Sequence, residues 1–185
     1  MSPSLWLEKI LRHIEKYIPQ QLYRVGQPMY HFLLSLAGAM YFQFPSKEIT
    51  VIGVTGTKGK STSVEILSEI FREAGYIVAS LSTIQFTVGD TRERNLYKMT
   101  SPGRFFVQHF LRRAVDAKCH YAILEMTSEA AKQFRHRFID FDALLVTNLS
   151  PEHIESHGSF EKYRDAKLSI AEALERSGKK NTVLV

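Results

Sequence analysis

Gly56-Thr-Lys-Gly-Lys-Ser-Thr62 carries the densest chemistry in the sequence. Glycines at this spacing let backbone N–H groups approach a phosphate with no Cβ in the way. Lys60 can reach terminal phosphates, and Ser61 can offer a hydroxyl to Mg²⁺. Lys58 adds a second cation. The longer phosphate-loop pattern has a glycine five positions before the Gly-Lys pair, where this chain has Val54; the match is to the shorter Gly-x-x-Gly-Lys-Ser-Thr form. Gly56, Thr57, Lys58, Gly59, Lys60, Ser61 and Thr62 are thus the candidate nucleotide-binding residues.

A phosphate loop works only between a strand and a helix, and the flanking residues predict both. Ile49 to Thr55 is apolar and β-branched, as expected of a strand covered on both faces. From Ser61 to Ala74, Val64, Ile66, Leu67, Ile70 and Phe71 recur at helical spacing, and Gly75 suits a helix terminator. The positive end of that helix points back at the loop.

The remaining elements alternate. Strands are expected at Ile77 to Leu81, Thr83 to Val88 (paired beyond a polar turn at Gly89 to Arg94), Tyr121 to Glu125, Ala143 to Thr147 and from Thr182. Helices are expected from Pro102-Gly103 to Ala117, from Ser128 to Arg135 and from Phe160 to Ser177. The fold class is α/β, a doubly wound, mostly parallel sheet. Residues 1–48 read as a helical segment separate from it. Leu5, Ile10, Leu11, Ile14 and Ile18 follow the helical period before Pro19, and a second, buried helix is expected from Tyr30 to Phe44. That run is shorter than the roughly 20 residues that cross a bilayer, which makes membrane contact a distant second reading. The chain stops inside a strand, and a fragment is expected.

Composition narrows the function classes. A formal charge of +5 invites nucleic acid, yet basic residues alternate with acids, as in Asp90-Thr-Arg-Glu-Arg94. A phosphate-rich small ligand accounts for the balance as well, and no nucleic-acid partner is expected. Cys119 is the single cysteine, which excludes an intrachain disulfide, points to a reducing compartment and reads as a buried thiol.

TGTKGKST resembles the ATP loop of the Mur ligases, with Lys58 in place of the common Asn. MTSP at Met99 to Pro102, LEMTSE at Leu124 to Glu129 and TNLSPEHIESHG at Thr147 to Gly158 follow in the family's order. The latter two resemble stretches of UDP-N-acetylmuramoyl-tripeptide synthetases. The resemblance covers Ile49 to the end, making 49–185 a Mur-type central ATP-binding domain. It implies Glu125 and His153 as Mg²⁺ ligands beside Ser61. From the residues alone, Glu125 is either a carboxylate at the ligand-binding edge of the sheet or a helix-capping acid, and His153 a loop residue. Lys167 matches the lysine that is carbamylated in the family; with Lys60 it is a candidate catalytic residue. Thr100, Ser101, Ser128, Gln133 and Arg135 match positions that hold the UDP-sugar substrate, with Phe134 and Glu129 departing from the family's Gly and His.

The resemblance implies a cytoplasmic, ATP- and Mg²⁺-dependent ligase of peptidoglycan precursor synthesis. ATP phosphorylates the carboxylate of a UDP-sugar peptide, and an amino acid attacks the acyl phosphate. A family C-terminal domain for the amino acid lies outside the sequence. Alternatives are a related ligase acting on lipid-linked muropeptide, folate or a poly-amino acid, a P-loop NTPase or kinase, and a non-catalytic nucleotide-binding fragment.

Overall fold

The computed structural model describes residues 20–97, 99–100, 103–152 and 154–185. The helix expected over Leu5 to Ile18 lies outside them. In chain order the elements are α1 (Gln20–Tyr41), a 3₁₀ turn (Pro45–Lys47), β1 (Thr50–Thr55), α2 (Lys60–Glu73), β2 (Val78–Leu81), β3 (Gln85–Val88), β4 (Thr91–Arg94), α3 (Arg104–Asp116), β5 (Tyr121–Glu125), α4 (Ser128–Lys132), β6 (Ala143–Val146), α5 (Ile154–His157), α6 (Phe160–Glu175) and β7 (Val183–Leu184).

The strands form one sheet in the order β4-β3-β2-β5-β1-β6-β7. β2, β5, β1, β6 and β7 run parallel, and β3 and β4 extend one edge as an antiparallel hairpin. The fold is therefore the α/β, mostly parallel arrangement expected. Alternation along the strands divides the core into two layers. Ile52, Val54, Val78, Ile123 and Leu145 face Val64, Leu67 and Phe71 of α2. Val51, Ala122, Leu124 and Leu144 face the other way, onto Val107, Phe110 and Leu111 of α3 and Ile170 and Leu174 of α6. A fully buried Leu or Ile contributes about 1.5–3 kcal/mol here. Of the apolar residues that recur at helical spacing along α2, Ile66 and Ile70 are exposed.

β1 sits between β5 and β6. The chain leaves it through α2 for β2 on one side, and later crosses from β5 to β6 on the other. Such a reversal opens a crevice at the carboxyl ends of the strands, where open α/β sheets take ligands. The loops after β1, β2, β5 and β6 all meet there.

The structure differs from expectation at β4 and at α1, and α4 stops at Lys132, short of the expected Arg135. β4 lies inside the segment read as a polar turn; its residues are all exposed, so no apolar alternation marked it, and the turn itself is short, at Gly89 and Asp90. α1 begins at Gln20 and runs through Pro28. It is buried on one face only: His31, Ser35 and Ala39 are buried, while Met29, Leu33, Met40 and Tyr41 are exposed. α1 also packs on the sheet's helical layer. Ser35 donates to the carbonyl of Phe134 at 2.9 Å, Phe42 meets the Phe105 ring edge-on, and Arg112 donates to the carbonyl of Phe42 at 2.9 Å. No described helix is long and apolar enough to cross a membrane.

Candidate nucleotide and acceptor site

The loop after β1 takes its shape from the loop after β6. Asn148 Oδ1 accepts from the amides of Thr57 at 3.1 Å and Lys58 at 3.0 Å, and Asn148 Nδ2 donates to the Lys58 carbonyl at 3.0 Å. Thr147 Oγ1 donates to the same carbonyl at 2.7 Å. This clamp leaves no room for a side chain at Gly56, where a Cβ would lie 1.9 Å from Thr147 Oγ1 and φ is +146°. Gly59 ends the loop at φ +81° with open space around it and caps α2. Thr62 is exposed on the first turn of that helix.

Thr57 is buried and ties the loop to α6. Its hydroxyl lies 2.8 Å from the hydroxyl of Tyr163 and accepts from the Ser150 amide at 3.0 Å. Lys60 folds over the loop, its Nζ donating to the Thr57 carbonyl at 2.8 Å.

Glu125, the last residue of β5, is only 3% exposed. Its Oε2 accepts from Ser61 Oγ at 2.9 Å and from the amide of Thr83 at 2.8 Å. Thr83 Oγ1 lies 3.1 Å from both carboxylate oxygens. A carboxylate only accepts, so the Thr83 proton points to Glu125, and Thr100 Oγ1 donates to Thr83 Oγ1 at 2.9 Å. Phosphate loop, β2 loop and the Thr100 segment thus converge on one buried carboxylate. A hydroxyl beside a carboxylate is the hard oxygen pair that suits Mg²⁺, an ion that keeps waters and borrows phosphate oxygens. Among the described residues no cluster of three or more His, Cys, Asp and Glu could hold a metal by itself. His153 and Ser101, both expected at this site, lie outside the described residues.

Lys167 is 6% exposed, and its Nζ stands 4.9 Å from the centre of the Tyr163 ring, one helical turn earlier on α6. Burial, then the charge of Lys60, lower its pKa from 10.5 to about 8, against a smaller opposing effect of Glu152. Desolvation and a like charge both disfavour the ammonium form. Gly56, Lys60, Thr100, Ser128, Glu129 and Lys167 line one cleft of about 230 Å³.

Gln133 and Arg135 do not line that cleft. Arg135 donates to Gln133 Oε1 at 2.6 Å, and Arg104 Nε donates to the Gln133 carbonyl at 3.2 Å. Gln133 lines a neighbouring cavity of about 250 Å³ with Pro28, His31, Glu129 and Lys132. Glu129 is the wall common to the two. Its Oε1 accepts from Ser156 Oγ at 2.6 Å and lies 3.5 Å from Nε2 of buried His157.

Thr83, Asn148, Tyr163, Arg104 and His31 were not among the residues picked from sequence. Asn148 lies within the TNLSPEH stretch and Tyr163 one helical turn before Lys167, so both carried a signal. Thr83 is 42 residues from Glu125 and Arg104 is 73 from His31, and neither sits in a recognisable pattern.

Residues 54–185 match the Mur ligase middle domain. The chain belongs to the Mur ligase family. Its Mur relatives include the UDP-N-acetylmuramyl-tripeptide synthetase of Treponema pallidum, 36% identical over 144 residues, covering 77% of this chain and 27% of that protein. The UDP-N-acetylmuramoyl-L-alanyl-D-glutamate--2,6-diaminopimelate ligase of Syntrophomonas wolfei is 32% identical over 152 residues, covering 82% of this chain and 30% of that protein. This Mur chain therefore spans less than a third of the length of these relatives. Among solved structures, a UDP-N-acetylmuramoyl-L-alanyl-D-glutamate--2,6-diaminopimelate ligase superposes with TM-score 0.59 at 21% identity, over 73% of this chain and 31% of that one. E. coli FolC, in complex with DHPP and ADP, gives 0.56 at 18% identity, over 81% of this chain and 45% of that one. These likenesses establish the fold.

Proposed function

We propose that residues 49–185 form the ATP-binding domain of a ligase that joins the carboxylate of a UDP-sugar peptide to an amino acid, with α1 packed beside it. One observation carries this reading: Lys60 and Lys167 line a single cleft with Thr100 and Ser128, beside the Ser61–Glu125 pair. A nucleotide site alone needs the loop and the metal ligands; polar walls at Thr100 and Ser128 give an acceptor carboxylate a place next to them. The ATP dependence of the Mur family and the names of its tripeptide-synthetase relatives support the same chemistry.

In this reading the nucleotide phosphates meet the amides that open α2, since those of Thr57 and Lys58 are held by Asn148. Lys60 exchanges the Thr57 carbonyl for phosphate oxygens and offsets the charge that gathers during transfer. Ser61 and Glu125, with His153, would hold Mg²⁺, which supplies Lewis-acid polarisation of the phosphates. A free carboxylate resists nucleophiles because it is already negative, and its acyl phosphate offers a good leaving group. Thr100, Ser101 and Ser128 orient that carboxylate, while Gln133 and Arg135 recognise a more distant part of the acceptor. Lys167, with its pKa lowered to about 8, keeps an appreciable neutral fraction at neutral pH, and only a neutral amine adds carbon dioxide. Its carbamate would turn a cation into an anion in the cleft that Lys167 shares with Lys60. We infer a cytoplasmic setting from the family and the single buried Cys119.

Calorimetric titration of Mg-ADP into the chain and into Lys60→Ala tests the nucleotide half. Equal affinity in the two would remove the loop from this account.

A further inference from the structure

We propose that α1 supplies a wall of the acceptor site, and that His31 and Arg104 form with Gln133 and Arg135 a recognition site for an oxyanion of the acceptor, a phosphate or a second carboxylate. This rests on the ligase reading given above.

The argument starts from one proton. An Arg104 NH2 group meets His31 Nδ1, and a guanidinium can only donate, so Nδ1 accepts and the ring proton sits on Nε2. Burial, Arg104 and Arg135 lower the His31 pKa to about 4, which keeps this neutral tautomer at physiological pH. His31 is 6% exposed, and its Nε2 has no hydrogen-bond partner. Buried donors are ordinarily satisfied, and one that is not calls for an explanation. His31 lines the cavity of about 250 Å³ with Gln133 and Lys132, so the unpartnered Nε2 belongs to a side chain on the cavity wall, and a small turn of the ring would bring it to an acceptor atom there.

The surroundings favour a negatively charged acceptor atom. Arg104 and Arg135 converge on Gln133, whose Oε1 lies 3.4 Å from Arg104 and 2.6 Å from Arg135. Two guanidiniums sharing one neutral amide oxygen can regroup on an oxyanion, which offers stronger charge-assisted bonds. Glu129, the acid on this wall, already accepts from Ser156. Because Glu129 also lines the first cleft, the two cavities are adjacent. An acceptor with a reacting carboxylate in the first and an oxyanion in the second would span them. α1, which lies before the matched domain, therefore contributes to specificity.

The test is calorimetric titration of the chain with two probes, uridine diphosphate and muramoyl-L-alanyl-D-glutamate, in wild type, His31→Gln and Arg104→Gln. At least one probe should bind, and both substitutions should weaken it fivefold or more. The probe that binds identifies the oxyanion as phosphate or carboxylate. No binding of either probe, or equal affinity in His31→Gln, overturns the proposal. Should His31→Gln fail to fold, ¹⁵N NMR of the wild-type histidines decides. A His31 Nε2 resonance that moves with probe supports the site, and one that stays fixed refutes it. The ligase reading stands or falls separately, on whether phosphate release from Mg-ATP requires an acceptor carboxylate.

Discussion

Ser61, on the first turn of α2, donates its hydroxyl to Oε2 of Glu125, at the end of β5, over 2.9 Å. These residues are 64 positions apart, and the contact joins the phosphate loop to the neighbouring strand. Glu125→Gln keeps the side chain's size but turns an acceptor-only group into one that also donates, against Ser61 and Thr83. Mg-ADP affinity should fall at least tenfold, which is about 1.4 kcal/mol. Affinity measured without Mg²⁺ should fall less. Titrations with and without the ion check the difference, and equal losses would mean the carboxylate shapes the loop without serving a metal.

Gly56 and Gly59 should respond differently to alanine. At Gly56 the new Cβ would meet Thr147 Oγ1 at 1.9 Å, so overpacking of about 1–3 kcal/mol adds to backbone strain. Gly59 has open space, and only its φ of +81° opposes a side chain, costing about 1 kcal/mol. Urea denaturation of both variants checks the order.

Tyr163→Phe removes the hydroxyl 2.8 Å from Thr57 Oγ1 and leaves the ring beneath Lys167. The expected loss is about 1 kcal/mol of stability. Nucleotide affinity should also weaken, since Thr57 holds the loop to α6. A variant with wild-type affinity would show that the clamp from Asn148 suffices.

Lys167 gives a pH dependence of definite sign. Its folded pKa of about 8 lies below the ordinary lysine value of 10.5, so between the two the unfolded chain binds more protons. Stability therefore rises with pH across that window, and below about 8 the full cost of the buried charge is present. Lys167→Met should be more stable than wild type at pH 7, with the advantage shrinking toward pH 10. Chemical denaturation at a series of pH values measures this. A constant difference would mean that the lysine is not titrating there.

Much of this was legible because burial on both faces leaves a strong trace. β5 occupies the expected Tyr121 to Glu125, and β1 and α2 fall within a residue of expectation at either end. β4 left no trace because Thr91–Arg94 is exposed throughout, and Pro28 hid the early start of α1. Within the site, contiguous motifs exposed Lys60, Ser61 and Glu125. Thr83 and His31 act through partners distant in the chain, and no local spacing encodes such a meeting. The likeness to the family likewise could not separate Gln133 and Arg135 from the first cleft, because Gln133 is held by Arg104, 29 residues away on α3.

The central claim is that this cleft couples nucleotide to a carboxylate acceptor. Phosphate release from Mg-ATP by the enzyme carrying this domain, measured with and without a UDP-N-acetylmuramoyl dipeptide and an amino acid, tests it most directly. The account predicts release only when acceptor and amino acid are both present, with a strong loss of turnover in Lys167→Ala. Equal hydrolysis without any acceptor would contradict it and leave a simple nucleoside triphosphatase.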